Sequence, residues 1–111
     1  MVGSTVTTAG KTLNTGTYVG IAHLELHVPE ARSLKAKRGP VRSLIEKIKN
    51  RHQVLVIEVG HQNLYQRARL AICALSSDVV DVEKRLQRVE ATVNRNWSGN
   101  ILNWEVDVIQ V

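Results

Sequence analysis

Residues 53–75, QVLVIEVGHQNLYQRARLAICAL, decide the fold. Residues 53–59 are β-branched and apolar, residues 66–75 alternate, and a short polar stretch at 60–65 separates them, so the segment is expected to form two antiparallel strands joined as a hairpin. Its flanks fix the class. Upstream, residues 18–28 alternate Gly20, Ala22, Leu24, Leu26 and Val28 against Val19, Ile21, His23, Glu25 and His27, a further strand that Pro29 ends. Ser33 then caps a helix whose apolar positions Leu34, Val41, Leu44, Ile45 and Ile48 recur at helical spacing as far as Arg51. Downstream, Asp78 opens a second helix with the stripe Val82, Leu86, Val89 and Val93, ending near Asn96. The segment after Ser98-Gly99-Asn100 alternates Leu102, Trp104, Val106 and Val108 against Asn103, Glu105 and Asp107, a last strand.

The order β-α-β-β-α-β is the split βαβ arrangement. It predicts an α+β, ferredoxin-like fold with a four-stranded antiparallel sheet, ordered 4-1-3-2, and both helices on one face. Gly39-Pro40 conflicts with the first helix, because an internal proline removes a hydrogen bond and clashes with the preceding turn at a cost of about 3 kcal/mol. Either the helix kinks there, or a turn precedes a helix that starts at Pro40. Residues 1–16, rich in Gly, Ser and Thr with little to bury, are expected to be a flexible N-terminal tail ahead of one domain over 17–111.

With 43% apolar residues but 4% aromatics and no Phe, the core must be filled by Val, Leu, Ile and Ala, which argues against a large aromatic-lined ligand pocket. The lone Cys73 cannot form an intrachain disulfide and suits a reducing, cytoplasmic setting. No run approaches the roughly 20 apolar residues of a membrane span, and residues 1–17 lack a signal-peptide core.

Charge is concentrated rather than spread. Residues 32–51 carry eight cations against Glu46, a net of +7 where the whole chain carries +5, so the other residues sum to −2. On a helix at about 100° per residue, Lys35, Arg38, Arg42 and Lys49 fall within roughly 60° of one another as a ridge beside the apolar stripe. Lys47 and Arg51 take the opposite shoulder. Such a ridge either is solvated surface, with Glu46 pairing Arg42 and Lys49, or tracks a phosphate backbone such as that of RNA. The hairpin tip gathers His61, Gln62, Tyr65 and Arg67, which serve either as polar turn chemistry or as a recognition tip able to stack on or bond to a nucleotide.

The open sheet face is expected to carry His23, Glu25, His27, Arg67, Arg69, Cys73, Glu105 and Asp107. It lacks the central aromatics on which RNA-binding sheets of this topology stack bases. His23 and His27 share a face with Glu25 between them, a pattern open to metal but equally explained by cross-strand pairing with Arg67 and Arg69. Burial of this face, with Val19, Ile21 and Ala71, in a homodimer is the stronger expectation. No catalytic constellation is present: Cys73 sits mid-strand among apolar residues, and the loop HVPEARS after the first strand lacks the glycine-built anion cradle of acylphosphatase chemistry. No cofactor, resident metal or enzymatic activity is therefore expected.

The stretches LELHVPEARSLKAKR and EVGHQNLYQRARLAI closely resemble the YlxP-like family of small bacterial proteins, over about Tyr18 to Ile109. The motif positions are His27, Pro29, Ser33, Leu34, Lys35, Lys37, Arg38, Glu58, Gly60, His61, Gln62, Gln66 and Arg67. The resemblance implies a ferredoxin-like fold. Members are often encoded beside ribosome-binding factor A and translation initiation factor two, which implies a role near ribosome maturation or translation. No biochemical role attaches to any motif position. Gly39-Pro40 departs from the family's pattern, as does the tail before Thr17.

Overall fold

The computed structural model describes residues 6–8 and 15–111. Its elements are β1 (Val6–Thr8), β2 (Tyr18–His27), α1 (Leu34–His52), β3 (Leu55–Gly60), β4 (Arg67–Ser76), α2 (Val79–Asn96) and β5 (Ile101–Gln110). Four antiparallel strands form one sheet in the order β5-β2-β4-β3, with two helices and the order βαββαβ expected from the hydrophobic pattern. Val6–Thr8 adds a fifth strand, running parallel to β5 with Val6 opposite Val108. Of the expected N-terminal tail, residues 1–5 and 9–14 lie outside the described residues.

Alternation in β2 and β4 decides which face is covered. Ala22, Leu24 and Leu26 on β2 and Ala68, Leu70 and Ile72 on β4 are fully buried beneath the helices. Val41, Leu44 and Ile48 of α1, and Val82, Leu86, Val89 and Val93 of α2, close over them. With Val28, Ala31, Val54, Ala74 and Val108 they make a core of eighteen buried apolar residues among those described, none of them aromatic; Tyr18, Trp97 and Trp104 pack at the margin. At Gly20 α2 packs close on the sheet: an added methyl would overlap Val82 and stand 2.7 Å from Leu86 Cδ1.

Both helix starts follow the caps read from sequence: Ser33 Oγ accepts from the Ala36 amide at 3.0 Å, and Asp78 Oδ1 from the Val80 amide at 3.0 Å. Helix α1 runs through Pro40 without a break. Packing of Val41, Leu44 and Ile48 outweighs the lost bond to the Ala36 carbonyl, and Gly39 spares the preceding residue the Cβ that would crowd a proline ring.

One expectation needs correction, and one cation lies where the charge count alone did not place it. Leu102 is not inward-facing: a register shift opposite Glu25 and Leu26 pairs Ile101 with Leu26 and leaves Leu102 exposed, so Ile101 takes the place by the core. Lys37, one of the eight cations of residues 32–51 and assigned to neither the ridge nor the opposite shoulder, is 4% exposed and lies inside the apolar stripe of α1.

Candidate functional site

The hairpin corner is built around Lys37. Its azimuth on α1 matches Val41, Leu44 and Ile48, so its stem runs through the core and its ammonium emerges under the end of β3. There it donates to the carbonyl oxygens of His61, at 2.8 Å, and Arg67, at 3.2 Å, and stands 3.4 Å from Glu58 Oε2 as an ion pair. The two carbonyl contacts are hydrogen bonds, whereas the Glu58 contact is an ion pair only: its buried Oε2 has no hydrogen-bond partner. The turn between the strands is closed by the Leu64 amide on the His61 carbonyl at 3.0 Å, with His61 itself left-handed at φ 60°.

On the other face of the sheet the side chains of the same two residues converge on Glu25. His61 Nε2 lies 2.9 Å from Glu25 Oε1, and Arg67 Nη2 donates to Glu25 Oε2. The hydrogen bond from His61, then that from Arg67, hold the Glu25 carboxyl below the usual carboxylate range. Gln66 ties the corner to the loop before α1, its Nε2 donating to the Ala31 carbonyl at 3.3 Å while its own carbonyl accepts from Val28 at 2.9 Å. His61 and Arg67, expected at a recognition tip, are thus engaged within the fold. Gln62 and Tyr65 remain exposed, with Leu64 beside them.

The cationic ridge on α1 divides differently. Lys35, Arg38 and Arg42 are exposed, and among the described residues no carboxylate stands within ion-pair distance of them. Lys49, also exposed, sits 3.9 Å from Glu46, a weak solvent-screened pair. Arg38 and Arg42 border a groove of about 280 Å³ between α1 and β3. An adjoining depression of similar size brings Arg38 beside Gln62 and Glu58, so the ridge and the hairpin tip form one continuous surface.

The open face is mixed. One end carries Glu25, His27, Arg67 and Arg69; the other carries Val19, Ile21, Cys73, Leu75 and, at the free edge, Leu55 and Ile57. Leu55 is 71% exposed and Ile57 and Leu75 are each 60% exposed. His23 stands between Ala71 and Glu105 in register, and among the described residues no group of three or more His, Cys, Asp or Glu side chains is placed to hold a metal ion. Burial pushes the Cys73 thiol up, away from the thiolate that nucleophilic chemistry needs. Among the described residues no helix is long and apolar enough to cross a membrane.

Residues 19–106 match the family model described as Protein of unknown function (DUF503). The chain belongs to this family. A relative, the uncharacterized protein YlxP of Bacillus subtilis (strain 168), is 37% identical over 76 residues, which span 68% of this chain and 83% of the relative. Among solved structures, the de novo designed protein Foldit4 is similar at a TM-score of 0.48 and 14% identity, over 83% of this chain and 92% of that one. In this DUF503 chain, the motif residues Lys37, Glu58, His61, Gln66 and Arg67 are the ones that knit the hairpin corner to α1 and β2. The sequence signal for this was the place of Lys37 in the 4-3-4 series 37, 41, 44, 48.

Proposed function

We propose that the protein is a non-catalytic, cytoplasmic accessory factor that docks on RNA, as part of a ribosomal subunit or its precursor, through the ridge of α1 and the adjoining hairpin tip. The observation that carries this reading is the row Lys35, Arg38 and Arg42: exposed, unpaired with carboxylates among the described residues, and continuous with Gln62 through a shared groove. Cations in a row at helical spacing suit a phosphate backbone, and the exposed Tyr65 supplies a ring on which a base can stack. His61 and Arg67 act in this scheme by fixing the tip rather than by touching the nucleic acid. The gene neighbourhood implied by the YlxP-like resemblance points the same way.

The test is cosedimentation with small ribosomal subunits and with free ribosomal RNA between about 50 and 200 mM salt. Wild type is compared with an Arg38→Glu, Arg42→Glu, Lys49→Glu variant of unchanged Tm. Salt-dependent binding that the variant loses supports the reading; absence of wild-type binding at the lowest salt overturns it.

A second reading is favoured by the exposed Leu55 and Ile57 of the edge strand β3 and Leu75 of the adjoining β4, which make an uncovered apolar end of the open face. In that reading the open face is a homo-oligomer interface, and association should be nearly insensitive to salt.

A further inference from the structure

A second cationic group lies on the opposite shoulder of α1 from the ridge and is assembled by tertiary contact between the two helices. The end of α1 and the first half of α2 enclose a depression of about 310 Å³, lined by Asn50, Arg51, His52, Gln53, Arg85 and Arg88, with Asp81 as its one carboxylate. Asp81 is committed to Arg85, whose Nη2 stands 2.5 Å from its Oδ2. Arg85 also donates to the carbonyl oxygens of Gln53 at 3.3 Å and Leu75 at 3.5 Å, so its guanidinium is held from three sides. Arg51 and Arg88 have no carboxylate within ion-pair distance among the described residues. The carbonyl end of α1 would by itself repel an anion, but Arg85 donates to the Gln53 carbonyl there, and Arg51 and Arg88 supply the positive charge that Asp81 does not offset.

We propose that this depression is a binding site for a phosphate group, held between Arg51 and Arg88 with Asn50 and Gln53 as neutral partners. Guanidinium forks match the tetrahedral oxyanion better than any other side chain. His52 lines the same depression. Its Nε2 lies 2.6 Å from the buried Thr92 hydroxyl, and burial first, then Arg51, Arg88 and Arg95, keep its pKa below the ordinary histidine value. The charged groups around it are Arg51 of α1 and Asp81, Arg85, Arg88 and Arg95 of α2, with Asp81 already neutralised. A bound dianion offsets the guanidinium field and makes protonation of His52 easier, so occupancy raises its pKa and binding tightens as pH falls. The site does not depend on the α1 ridge and stands or falls separately.

The test follows the His52 ring by NMR pH titration of the full chain in sulfate, which stays doubly charged across the range, in inorganic phosphate, and in chloride at equal ionic strength. Sulfate and phosphate are expected to raise the His52 midpoint by about half a pH unit or more over chloride, the lower end of what a nearby opposite charge does. In an Arg51→Ala, Arg88→Ala variant the midpoint starts higher, because the repelling cations are gone, and the anions no longer move it. In an Arg38→Glu, Arg42→Glu variant the response is retained, even if RNA binding through the ridge is lost. A short uridine oligonucleotide that moves His52 at lower phosphate concentration than the free ion identifies a nucleic-acid backbone as the source; the reverse order identifies a small phosphorylated ligand. A His52 midpoint equal in sulfate, phosphate and chloride overturns the proposal.

Discussion

Lys37 Nζ lies 2.8 Å from the His61 carbonyl oxygen, so a lysine from the buried stripe of α1 grips the same turn residue whose imidazole meets Glu25 on the far face of the sheet. The corner is therefore clamped from both sides. Replacing Lys37 by Met keeps the stem's packing but leaves the Glu58 carboxylate and two carbonyl groups without their cation. Breaking one partner of a buried pair costs about 3–5 kcal/mol. Glu58 retains partial contact with water, its side chain being 29% exposed, which places the expected loss near the lower end. Lys37→Met should lower stability by about 3 kcal/mol, and a Lys37→Met, Glu58→Met double variant should be more stable than the single one. Urea unfolding of the three proteins checks this; additive losses would mean that the ion pair contributes nothing.

Glu25 makes a pH prediction with a definite sign. Its folded pKa is lowered from 4.5, chiefly by the hydrogen bond with His61 and then that with Arg67. The unfolded chain protonates first as pH falls, so the stabilisation is complete above about 4.5 and is lost as pH drops through the lower folded value. Glu25→Gln should cost about 1–2 kcal/mol at neutral pH, as expected for hydrogen bonds to a charged group in a partly wet site. The gap between variant and wild type should close on acidification below that point. Denaturant titrations at neutral and acidic pH read both, and a gap that stays constant with pH would rule out the carboxylate as its source.

Pro40 is expected to be a net burden on α1. It is exposed, and it deprives the Ala36 carbonyl of its helical donor. Pro40→Ala should raise stability by about 1–3 kcal/mol, short of the full internal-proline penalty where the residue before it is glycine. Thermal unfolding measures the gain, and an unchanged or lower Tm would show that the ring contributes packing of its own.

How far the sequence could be read follows from these residues. Period-two alternation in residues 18–28 and 66–75, together with the Ser33 and Asp78 caps, specifies the strands, the helices and their order, because local chemistry and burial agree there. Leu102 was misplaced because a bulge is a property of the pair of strands, invisible along one of them. Lys37 kept the spacing of a core residue, but its charge suggested solvent; the His61 and Arg67 carbonyls and Glu58 that make its burial tolerable are brought by a hairpin more than twenty residues away. Arg85, Arg88 and Arg95 fall on one flank of α2, yet their meeting with Arg51 and His52 arises from helix packing and has no local signature.

The exposed row on β3 separates the two functional readings. Leu55, Ile57 and Val59 project from an edge strand without the lysine or proline that usually guards one, and Leu75 of the neighbouring strand extends the patch. Ile57, 60% exposed at the middle of that row, can accept a charge without disturbing the core, so Ile57→Lys should change monomer stability by no more than about 0.5 kcal/mol. If the open face is a homo-oligomer interface, sedimentation equilibrium of wild type should show association that persists as salt is raised, and Ile57→Lys should abolish it while leaving cosedimentation with RNA intact. If the wild type is a monomer throughout and Ile57→Lys leaves its mass unchanged, the self-association reading fails.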